Sequence, residues 1–99
     1  MGGETKVACR TPAEGRDGVA NVPAWKFEVV RGAILNAARE PILFKDLKTM
    51  VGERLDADML GRLGSLGWHV TTVKLEMEVR GEIERLDAKG PQQIRATVG

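Results

Sequence analysis

The chain has 99 residues, enough for one domain with one modest core. Hydrophobic residues make up 42% and charged residues 29%, the balance of an ordinary soluble globular domain. The formal net charge is only +1, so bulk charge does not mark a nucleic-acid binder, and no apolar run approaches the roughly 20 residues of a membrane span.

The first 22 residues are rich in glycine and scattered charge and read as an N-terminal arm, with the main domain from residue 23 to 99. "KVACRTP" has the makings of one short strand and "AEGRDG" of a loop. "MGGETKVACR" lacks the apolar core of a signal peptide, and Lys6 stands where a myristoylation signal after Gly2 needs Ser or Thr, so a cytoplasmic protein is expected. Cys9 is the only cysteine, which excludes an intrachain disulfide and leaves a thiolate zinc site without ligands.

A first helix is expected from about Pro23 to Arg39, with Asn21 as its cap and Pro41 as its stop. Phe27, Val30, Ile34 and Ala37 or Ala38 form its buried stripe. "ILF" follows as a short extended piece. A second helix runs from about Lys45 to Leu55 with a stripe of Leu47, Met50, Val51 and Leu55; Gly52 weakens it by about 1 kcal/mol relative to Ala, so packing must hold it. Asp56 to Gly64 reads as a connector or short helical turn offering Met59, Leu60 and Leu63 to the core.

From Val73 to Val79 apolar and charged residues alternate as in a half-buried strand, yet Leu66, Val70, Val73 and Met77 also recur at helical spacing. A strand from Thr72 to Glu84 would be too long and would carry Gly81 in its middle. A helix from Ser65 to Arg80 has a good cap in Ser65 and a left-handed stop in Gly81. That helix has two apolar faces, because Trp68, Leu75 and Val79 fall opposite the first stripe. Glu82–Leu86 and Gln92–Val98 then form a hairpin about the turn "AKGP". The predicted class is α+β: three helices plus a C-terminal β-hairpin wing, in winged helix-turn-helix order, behind an N-terminal arm.

"TPAEGRDG", "WHVTTVKLEMEVRGEIER" and "PQQIR" resemble a family of small uncharacterised bacterial proteins with a winged-helix look. The resemblance runs from about Val7 to Thr97 and is most specific at "VKLEMEVRGEIER". It implies that Gly81 closes the third helix and that Ile83 tucks under the sheet. It brings no activity, ligand or cofactor.

On this frame, a DNA-binding regulator would read the major groove with Ser65 to Lys74 and hold phosphates through Arg62, Lys74, Lys89 and Arg95, with His69 against a phosphate or base edge. Glu76, Glu78, Glu82 and Glu84 surround Lys74, Arg80 and Arg85, which reads as a solvated mixed-charge face. The alternative is a protein-interaction or self-association module using Trp68, Leu75 and Val79. That face is expected to be covered, either by the arm through Val7, Ala8, Val19 and Val22 or by a second copy. Ser65 and His69 lack an orienting acid, Arg10 beside Cys9 is a weak activating feature, and no Gly-rich phosphate loop with its Lys is present. No enzyme activity, cofactor or metal is expected, and the partners are double-stranded DNA, the chain itself or another protein, with no membrane.

Overall fold

The computed structural model describes residues 5–11, 15–86 and 90–97. Among these residues the fold is mixed α+β, with four helices and two small antiparallel sheets. The first sheet pairs β1 (Lys6–Thr11) with β2 (Gly15–Pro23). Where one short strand and a loop are expected, a two-stranded hairpin forms. Its pleat explains its docking. Val7, Cys9 and Val22 turn to the core, while Lys6, Ala8 and Asn21 turn to solvent. Ala8, expected to cover the third predicted helix, thus faces outward, and the side chain of Val19 lies outside the described residues.

Helix α1 (Ala24–Ala37) buries the expected Phe27, Val30, Ile34 and Ala37, and Ala33 besides. Asn21 does not cap it, because that residue belongs to β2; the helix begins at Pro23, and the Ala24 N–H donates to the Thr5 carbonyl at 2.8 Å. β3 (Ile42–Leu43) leads directly into α2 (Phe44–Glu53), whose Leu47 and Val51 are buried. Gly52 sits where α2 meets the start of the last helix, since a β-carbon there would lie 3.1 Å from Leu66 Cδ2. The expected connector is a fourth helix, α3 (Ala57–Leu63), capped by Asp56 Oδ1 accepting from the Met59 N–H at 2.7 Å.

The ambiguous segment is helical. α4 (Leu66–Arg80) is capped by Ser65, whose Oγ accepts from the Trp68 N–H at 3.3 Å. At its end Gly81 takes φ +77°, its N–H donates to the Glu78 carbonyl at 3.1 Å, and the Glu82 N–H reaches the Met77 carbonyl at 2.8 Å. This paired closure needs a residue at positive φ, which glycine supplies at least cost. β4 (Ile83–Leu86) and β5 (Gln93–Ala96) follow, and the second sheet has the order β3-β5-β4, all antiparallel. Ile83 and Ile94 are buried beneath it. One core joins both sheets and α1, α2, α3 and α4.

Candidate functional site

The residues that sequence reasoning places on α4 divide by position around the helix. At about 100° per residue, His69, Val70, Val73, Lys74, Glu76 and Met77 share one broad arc, and all six are buried. Trp68, Thr71, Thr72, Leu75 and Val79 share the opposite arc. There Trp68 is 48% exposed, Thr71 is exposed, and Thr72, Leu75 and Val79 are half-buried.

The mixed-charge segment is only partly a solvated face: Arg80 and Arg85 are exposed, while Lys74 and Glu76 are buried. Glu76 is 1% exposed. Its Oε1 accepts from the Arg10 backbone N–H at 2.8 Å and from Arg10 Nε at 3.0 Å; its Oε2 accepts from Arg10 Nη2 at 2.7 Å and Arg80 Nε at 2.8 Å. Burial pushes this carboxyl up, but the hydrogen bonds from Arg10 and Arg80 outweigh it and hold its pKa at about 2. The hairpin therefore docks on α4 through Glu76. Beside this pair Cys9 is buried, and its thiol is pushed up to about 11, first by burial and then by the Glu76 carboxylate. The lowering pull of Arg80 and Arg10 is the weaker influence, so the thiol is held in its protonated form at neutral pH.

Lys74 is 2% exposed and is a structural cation, closed off from a phosphate. Its Nζ lies 4.3 Å from the Phe44 ring centroid, donates to Gln92 Oε1 at 3.2 Å and pairs with Glu78. Burial pushes its ammonium below the ordinary lysine range, against the opposing pull of Glu78. Glu78 also accepts from Arg85 Nε at 2.9 Å, and Glu82 pairs with Arg31 Nε at 3.0 Å. His69 is likewise enclosed. Its Nδ1 donates to the Ser65 carbonyl at 2.7 Å, and its ring meets that of Trp68 edge-on at 4.9 Å between centroids. Ser65 is occupied as the helix cap. The Ser65 hydroxyl and the His69 ring both contact Trp68.

Arg62 and Arg95 remain at the surface. Each is held in an exposed ion pair, Arg62 with Asp58 at 3.1 Å and Arg95 with Glu84 at 2.6 Å. Lys89 lies outside the described residues. The structure adds two cations that sequence reasoning missed. Lys45 and Lys48 are exposed, one turn apart on α2, and neither has a carboxylate within ion-pair distance among the described residues. Lys48 lies across the first turn of α4, its Nζ 3.6 Å from where a β-carbon on Gly67 would stand. The i, i+3 spacing of the lysines was visible in sequence; their place beside α4 depends on how α2 packs.

A family model matches residues 6–94, from the start of β1 into β5, with all four described helices between. The chain belongs to DUF6958, a family of unknown function. No curated protein and no solved structure matches the chain. In this DUF6958 protein no group of three His, Cys, Asp or Glu among the described residues is placed to hold a metal ion. No described helix is long and apolar enough to cross a membrane.

Proposed function

We propose that this chain is a winged helix-turn-helix protein that binds double-stranded DNA. α1, β3, α2, α3 and α4 precede the β4–β5 wing, and the order β3-β5-β4 suits that architecture. α4 is the reading helix. Architecture alone is a weak warrant for DNA binding. The observation that carries the reading is local: Lys48 lies beside the first turn of α4, and it and Lys45, one turn before it on α2, have no carboxylate partners among the described residues.

Arg62 and Arg95 extend this footprint. Exposed ion pairs are worth roughly 0–1 kcal/mol, so a phosphate can replace Asp58 or Glu84 at little cost. With about four phosphates neutralised, the logarithm of affinity should fall against the logarithm of salt with a slope of about −3 to −4. Binding of this kind is moderate and salt-sensitive, which suits a chain of net charge +1.

Titration of duplex DNA into isotope-labelled protein tests the footprint. Amide shifts are expected at Lys45–Lys48, Gly67–Leu75 and Arg95, with β1 and α1 unmoved. Shifts confined to other surfaces would overturn it. A second reading, association with a protein or a second copy through the same arc, is favoured by one observation, the 48% exposure of Trp68 in a face without charge. Its signature is a solution mass of two chains without DNA, and amide shifts on dilution at the same residues.

A further inference from the structure

We infer that α4 distinguishes base pairs chiefly by the 5-methyl group of thymine, so that the preferred ligand is duplex DNA rich in thymine at the contacted steps. The inference rests on the DNA-binding reading above. It starts from what the open arc lacks. Bidentate recognition of guanine needs Arg or Lys, of adenine Asn or Gln, and acceptance from cytosine needs Asp or Glu. None of these types stands among Trp68, Thr71, Thr72, Leu75 and Val79.

The neighbours that would supply such groups are committed elsewhere. Lys74 is closed against Phe44 and Gln92, His69 is bonded to the Ser65 carbonyl, Glu76 holds Arg10 and Arg80, and Glu78 is shared by Lys74 and Arg85. What the arc presents is an exposed indole, two threonines whose hydroxyls can bond to any base pair and so discriminate little, their methyls, and the half-buried branched groups of Leu75 and Val79. In the major groove the apolar feature that matches them is the thymine methyl. Lys45 and Lys48 on α2 provide charge complementarity for the backbone, and they carry no sequence information themselves.

The test compares two duplexes in a fluorescence-anisotropy titration of the full chain. One is an alternating adenine–thymine duplex; the other is the same duplex with deoxyuridine in place of thymidine. Charge and hydrogen-bonding edges are identical, and only the methyls differ. A methyl worth roughly one buried CH2 gives about a fourfold change in affinity, so two or more contacted methyls should weaken the uridine duplex by about tenfold or more. The salt slope should stay the same. In a guanine–cytosine duplex, replacing cytosine by 5-methylcytosine places a methyl at the corresponding groove position and should strengthen binding. Leu75→Ala should shrink both differences while the salt slope is kept. Equal affinity for the thymine and uridine duplexes would overturn the methyl readout and leave DNA binding standing. No binding to any duplex at low salt would overturn both readings.

Discussion

Glu76 shows how one side chain decides between a surface and an interior. Four hydrogen bonds from Arg10 and Arg80 offset the cost of burying its charge. Its folded pKa, about 2, lies below the ordinary 4.5, so the carboxylate contributes stability that is fully present above the ordinary range and lost as pH falls toward 2. Glu82 has the same sign through Arg31. Glu76→Gln is therefore expected to lower stability at neutral pH by about 2–3 kcal/mol and to flatten the fall in melting temperature between about pH 5 and pH 2. Thermal melts across that range, followed by circular dichroism, check both parts. An unchanged acid profile in the variant would contradict the role given to Glu76. Sequence reasoning placed this residue on a solvated mixed-charge face, because its partner Arg10 is 66 positions away and belongs to a segment that reads as an arm.

At the scale of elements, periodicity was legible wherever a stripe met a cap. α1, α2 and the end of α4 at Gly81 follow from apolar spacing and local stop signals. The helical reading of residues 66–80 is right because Ser65 and Gly81 close both ends. Two elements were less legible. α3 is only seven residues long, too short for its stripe to separate from a turn. The β1–β2 hairpin has few large apolar residues, and its stability comes from docking, through Cys9 at 1% exposure, Val22 at 0%, and the Arg10–Glu76 pair. Burying a valine side chain is worth roughly 1.5–3 kcal/mol, and whole domains are stable by only about 5–15 kcal/mol. Deleting residues 1–22 is expected to abolish a cooperative melt or to lower its midpoint by more than about 10 °C. A truncated chain that melts within a few degrees of the intact one would show that the hairpin is an accessory.

For the whole molecule, the α+β class was legible and the site was only partly so. Sequence reasoning chose Lys74 and His69 because they stand on the helix expected to read DNA; it had no way to know that the Phe44 ring and Gln92 enclose one and the Ser65 carbonyl fixes the other. It passed over Lys45 and Lys48, whose value comes from packing α2 beside Gly67. Exposed cations that lack partners and buried cations that have them make different predictions about salt. The measurement that tests the account most directly is the affinity for a duplex as a function of salt, taken for the intact protein, for Lys45→Ala/Lys48→Ala and for Lys74→Met. The account predicts that the double variant loses affinity and that its slope becomes shallower by about 1.8. Lys74→Met should keep the slope of the parent, whatever it costs in stability. A double variant that binds with the parent's affinity and slope, or a Lys74→Met chain that alone loses slope, would contradict it.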